Sequence, residues 1–111
     1  MKFEENVSGK VLIVKVLTSR ITADVAPQLK ESIVNYAANG NRIIVLDLSD
    51  VAFIDSSGLG ALIGSLKVVG DGGELALCGA RDSVISMFKL TRMNKVFHMF
   101  RSPEEAVSSL S

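Results

Sequence analysis

The residues of this chain best placed to do chemistry are the two adjacent hydroxyls of the string Asp55-Ser56-Ser57-Gly58-Leu59-Gly60. A serine becomes a nucleophile only with a general base within hydrogen-bond reach. The single histidine, His98, falls in a segment that reads as a strand, and no Gly-x-Ser-x-Gly elbow is present. His98 is therefore read as a strand residue, and no catalytic residue is assigned. Gly70-Asp71-Gly72-Gly73 lacks the Lys-Ser or Lys-Thr that completes a Walker loop, so it reads as a turn. The one cysteine, Cys78, lies in the apolar run Leu75-Ala76-Leu77-Cys78, which suits a buried thiol better than a disulfide or a metal ligand. No metal and no cofactor are expected. Modification remains open to the serines: phosphorylation adds about −1.5 to −2 charge. A helix start tolerates that charge, because its free N–H groups and dipole favour anions.

That role requires the string to open a helix. Leu59, Leu62, Ile63, Leu66 and Val69 recur at helical spacing, which predicts a helix from Asp55 to about Val69 with Asp55 at its cap. Lys10 to Val16 is β-branched and follows Ser8-Gly9, so it reads as a strand with residues 2 to 6 as its hairpin partner. Thr22 or Asp24 is expected to cap a first helix carrying Pro27 in its first turn and Val25, Leu29, Ile33 and Tyr36 or Ala37 on one face, ended by Gly40. Arg42 to Leu48, with four consecutive aliphatics, has the pattern of a central parallel strand covered on both faces. Glu74 to Cys78 reads as a further strand. Asp82 is expected to cap a third helix with Val84, Ile85 and Phe88 inward, and Val96 to Phe100 to form the last strand. Ser102-Pro103-Glu104-Glu105 signals a C-terminal helix. The alternation predicts an α/β fold: one domain over residues 1–111, a mixed and mostly parallel sheet of about 4–5 strands, about 4 helices and an N-terminal β-hairpin.

The second helix breaks a local rule. Gly58, Gly60 and Gly64 each cost about 1 kcal/mol relative to alanine in a helix interior. At 100° per residue, Ser57, Gly60, Ala61, Gly64 and Val68 fall opposite the apolar stripe. That face is small and nearly chargeless, with Lys67 on its flank. Close packing within the domain and a docking surface for another protein both account for it. A phosphate on Ser56, beside Asp55, would confront whatever docks there and expel it with little change of fold.

The whole-chain balance excludes other classes. Twelve basic and twelve acidic side chains leave no net field to attract DNA, an anionic bilayer or an acidic substrate. The N-terminus lacks a secretory apolar stretch, and apolar runs such as Ile43-Ile44-Val45-Leu46 fall far short of the ~20 residues that span a bilayer. A cytoplasmic protein without direct DNA or membrane contact is expected, either monomeric or weakly dimeric through the smooth face.

Phe53-Ile54-Asp55-Ser56-Ser57-Gly58-Leu59-Gly60-Ala61-Leu62, followed by Gly72-Gly73-Glu74-Leu75 and Phe88 to Leu90, resembles the anti-sigma factor antagonists of the STAS (sulfate transporter and anti-sigma antagonist) superfamily. The resemblance in organisation covers essentially the whole chain. It implies a non-enzymatic STAS domain in which Ser56 is phosphorylated by a serine-kinase anti-sigma factor and dephosphorylated by a metal-dependent phosphatase. The unphosphorylated form would bind the anti-sigma factor and free the sigma factor. Asp55, Ser57, Gly58, Leu59, Gly60, Ala61 and Gly64 would then lie in or beside the contact surface. Ser19-Arg20-Ile21-Thr22 departs from the Gly-acidic-Leu-Asp type of sequence that many relatives carry in the corresponding loop. Stand-alone members also serve lipid-transport and other signalling complexes, the alternative reading for this chain.

Overall fold

Gly9 adopts φ +60°, a left-handed conformation that glycine enters without steric cost, and there the chain reverses into its opening hairpin. The computed structural model describes residues 1–111. From the N-terminus the elements are β1 (Phe3–Ser8), β2 (Val11–Val16), β3 (Arg20–Ile21), α1 (Ala26–Ala38), β4 (Ile43–Asp47), β5 (Phe53–Ile54), α2 (Ser56–Val69), β6 (Glu74–Cys78), α3 (Asp82–Leu90), β7 (Met99–Phe100) and α4 (Pro103–Leu110). A 3-10 turn, Met93–Lys95, precedes β7.

The main sheet has the order β1-β2-β4-β6-β7. Only the β1–β2 pair is antiparallel; β2, β4, β6 and β7 run parallel, with Ile13 beside Val45 and Val45 beside Ala76. The expected mixed, mostly parallel sheet of about 4–5 strands is present with five, together with four helices and the N-terminal hairpin. One face of the sheet carries the larger core, where Val14, Ile44, Leu46, Leu75 and Leu77 meet Leu29 and Ile33 of α1, Leu62 of α2 and Phe88 of α3. The other face is covered by α4, whose Ala106 packs with Val11, Val45, Ala76 and Cys78. Burial pushes the Cys78 thiol up to about 12, with the Asp47 and Glu104 carboxylates adding to the shift. No helix is long and apolar enough to cross a membrane.

Several boundaries differ from the sequence reading. Val25, without a capping side-chain bond, precedes α1, because Thr22 and Asp24 hydrogen-bond to each other within the preceding turn. Arg81 is the residue before α3, and Asp82 stands in its first turn. Ile85 is half-buried rather than fully inward. The last strand shrinks to Met99–Phe100 because Val96 caps the 3-10 turn and Phe97 turns inward, edge-on to Phe88 at 5.8 Å between centroids. Ser102 caps α4 as expected, its hydroxyl accepting from Glu105 N–H at 3.1 Å. The larger omission is a second sheet: β3 and β5, two residues each, pair in parallel outside the main one.

Candidate functional site

The small sheet fixes the serine string in space. Arg20 lies beside Phe53 and Ile21 beside Ile54, with the two isoleucines buried and Arg20 and Phe53 facing outward. Ser19 C=O accepts from Ala52 and Phe53 N–H at 2.7 and 3.2 Å, and Ile21 C=O accepts from Asp55 N–H at 3.1 Å. The chain therefore enters α2 held against the segment that leads to α1.

Asp55 completes that attachment. Its backbone is extended, with φ −90° and ψ −177°, and one carboxylate oxygen accepts from Gly58 N–H at 2.8 Å, an N-cap bond. The other oxygen accepts from Ala23 N–H at 3.2 Å. One side chain thus ties the α2 start to the loop before α1. Asp55→Ala removes both bonds, and loss of a cap costs about 1–2 kcal/mol. We expect a urea midpoint lowered accordingly with an unchanged slope; an unaltered midpoint would show the clamp to be energetically idle.

Ser56 and Ser57 follow as the first two residues of α2, and both are exposed. The sequence-derived contact set then divides. Gly58 is buried: a Cβ on it would stand 2.4 Å from Ile21 O and 2.9 Å from the Cγ2 atoms of Ile21 and Ile54. Leu59 and Ala61 are also buried. These three lie beneath the surface that Ser57 and Gly60 present and shape it from below. Ser57 and Gly60 remain exposed, and Gly64 is half-buried under Lys30 of α1, whose Nζ would lie 3.1 Å from a Cβ at position 64. The face is accordingly less bare of charge than the helical plot of α2 alone suggested, because a neighbouring helix lends it a lysine.

A groove of about 310 Å³ flanks the serines on the other side, lined by Ala52, Phe53, Ile54, Asp55, Ser83 and Met87. The Ser83 hydroxyl closes one wall by donating to Ala52 C=O at 3.0 Å. Phe53 is 43% exposed, enough to offer its ring to a partner, and the Arg20 guanidinium lies 4.7 Å from the ring centroid. Neither Arg20 nor Phe53 was assigned a site role from sequence; the unusual Ser19-Arg20-Ile21-Thr22 segment was the available signal.

His98 lies just ahead of β7, and its Nδ1 is 2.6 Å from Glu74 Oε1 at the N-terminal end of β6. Ser56 follows the opposite, C-terminal end of β4 by way of β5, so this histidine is not a base for it. Gly72 bends the turn at φ +93°, and its C=O accepts from Arg42 at 3.2 Å. The corner can present an exposed hydroxyl on a rigid helix start, flanked by an apolar groove and a nearly smooth helix face.

A family model described as STAS domain matches residues 2–106. An anti-sigma-B factor antagonist of Staphylococcus aureus (strain NCTC 8325 / PS 47) is 30% identical over 79 residues, covering 70% of this chain and 73% of that protein. An anti-sigma factor antagonist from Mycobacterium paratuberculosis has a similar structure, with a TM-score of 0.87 at 23% identity over 98% of this chain and 92% of that one. The Bacillus cell fate determinant SpoIIAA in its phosphorylated form superposes with a TM-score of 0.72 at 18% identity, over 99% of this chain and 100% of that one. At these identities the two structures speak to the fold.

Proposed function

The chain belongs to the STAS domain family, and from that premise we propose that it is an anti-sigma factor antagonist switched off by phosphorylation of Ser56. Unmodified, it binds a serine-kinase anti-sigma factor and so releases the sigma factor. Phosphorylated, it lets the anti-sigma factor go, and a metal-dependent serine phosphatase restores it. The domain binds and is acted upon, and it catalyses nothing itself.

The observation that carries this reading is the Asp55 clamp. Gly58 and Ala23 N–H groups hold its two oxygens, so the helix start is secured by bonds that do not involve the Ser56 side chain. Ser56 then stands exposed on a scaffold that need not move. A phosphate added there changes charge at a surface rather than fold, which suits a partner switch. The S. aureus relative's name agrees with the reading, and the phosphorylated Bacillus protein is an instance of this fold in a modified state.

Intact-mass measurement with fragment sequencing tests it, on protein isolated from its own cells and on protein incubated with ATP and the co-purifying serine kinase. One phosphate on Ser56 is the expected result. Protein that stays unmodified under both conditions would refute the switch and favour a constitutive interaction subunit.

A further inference from the structure

The corner around Ser56 contains a cation without an ionic partner. Arg20 rests on the Phe53 ring, a weak hold at an exposed site, while the two ion pairs of the protein lie elsewhere, Lys15 with Asp50 and His98 with Glu74. Both nearby carboxylates are engaged already. Asp55 accepts from the Gly58 and Ala23 amides, and Asp24 accepts from the Thr22 hydroxyl. The Asp24 carboxyl is held below the usual carboxylate range first by that hydroxyl and then by backbone N–H groups, with the Arg20 charge the smallest cause. Across the groove, Arg81 of the α3 entry donates to Ser49 C=O at 2.9 Å, and Asp82 beside it is exposed.

A phosphate on Ser56 would bring the missing anion. The helix start alone serves it poorly: the Gly58 N–H is taken by Asp55, and the Asp55 charge stands next to it. Arg20 and Phe53 lie side by side across the β3–β5 ladder and both face outward, and Asp55 and Ser56 follow β5 directly as the cap and first residue of α2. Three residues of chain from Phe53 to Ser56 span at most about 10 Å. An extended arginine and a phosphoserine can bridge that interval. Guanidinium and phosphate pair through two parallel charge-assisted bonds, which an aromatic face cannot match.

We propose that Arg20 is the intramolecular receiver of the Ser56 phosphate, leaving the Phe53 ring to pair with the phosphoryl oxygens when Ser56 is modified. Phosphorylation then changes the partner surface twice. It adds negative charge at the α2 start, and it removes the cation from the exposed ring that borders the groove. The inference rests on Ser56 as the modified residue, and the test is arranged so that the two can fail separately.

Phosphoserine is installed biosynthetically at position 56, independently of any cellular kinase, and the phosphorus NMR shift is followed against pH. The second phosphate ionisation falls near pH 6 in an unperturbed phosphoserine. Pairing with Arg20 favours the dianion and lowers that midpoint. Arg20→Gln should raise it by about half a unit, a threefold change in proton affinity, and Arg20→Lys should recover part of the difference. Lys89→Gln, which deletes a charge at the far end of α3, should leave it where it was. Amide spectra of the unphosphorylated variants check that the fold is kept. Equal midpoints in the parent and Arg20→Gln, or the same rise with Lys89→Gln, would overturn the proposal.

Discussion

Ser56→Asp is expected to weaken binding to the serine-kinase anti-sigma factor by about a hundredfold, some 2.7 kcal/mol, without lowering thermal stability. Ser56→Ala should bind like the unmodified parent and resist release by ATP. The two halves of the expectation have separate causes. Position 56 is the first residue of α2 and is exposed, so aspartate there buries nothing and interacts favourably with the helix dipole. In the complex the same charge lies beside Asp55 under a covering partner, where juxtaposed like charges cost several kcal/mol. Aspartate carries about half the charge of a phosphate at neutral pH, so the phosphorylated protein should bind more weakly still. Titration calorimetry of the three proteins against the anti-sigma factor gives the affinities, and thermal melts give the stabilities. Loss of binding by Ser56→Ala with the fold intact would mean that the hydroxyl is itself required, and the charge account would fail.

The parts legible in the sequence were those whose signal is local or periodic. The aliphatic run before Asp47 made β4 a central strand, Ser8-Gly9 marked the hairpin, and Asp55 ahead of an apolar repeat marked a capped helix. What escaped was set by contacts across the chain. Two-residue strands such as Arg20–Ile21 and Phe53–Ile54 are too short to show any period, and they exist because Ile21 C=O and Asp55 N–H find each other across a long stretch of intervening chain. The inward placement of Gly58 and Ala61 escaped for a related reason. A helical plot compares residues of one helix, whereas β3 packs against the side on which Gly58 lies and Lys30 of α1 crosses the side on which Gly64 lies. Val96 escaped because β-propensity was outweighed by the burial of Phe97 against Phe88.

Gly58 and Gly60 look interchangeable in the sequence, and the fold assigns them opposite costs. An alanine at either site gains about 1 kcal/mol of helix propensity. At position 60 nothing lies within 4 Å of the new methyl, so Gly60→Ala should keep that gain and raise the melting temperature by a few degrees. At position 58 the methyl would stand 2.4 Å from Ile21 O, a backbone atom that cannot swing aside, with two isoleucine methyls at 2.9 Å. Overpacking of this kind costs about 1–3 kcal/mol, and the displacement also loosens the Asp55–Gly58 and Asp55–Ile21 bonds that seat the helix. Gly58→Ala should therefore lose about 2 kcal/mol net, a fall of roughly 10 °C in Tm. Binding separates the pair a second time. Gly60→Ala places a methyl on the exposed face beside Ser57 and should reduce affinity for the anti-sigma factor in a protein more stable than its parent. If Gly58→Ala stabilised the chain as Gly60→Ala does, the close contact between α2 and β3 would not be what holds Ser56 in place.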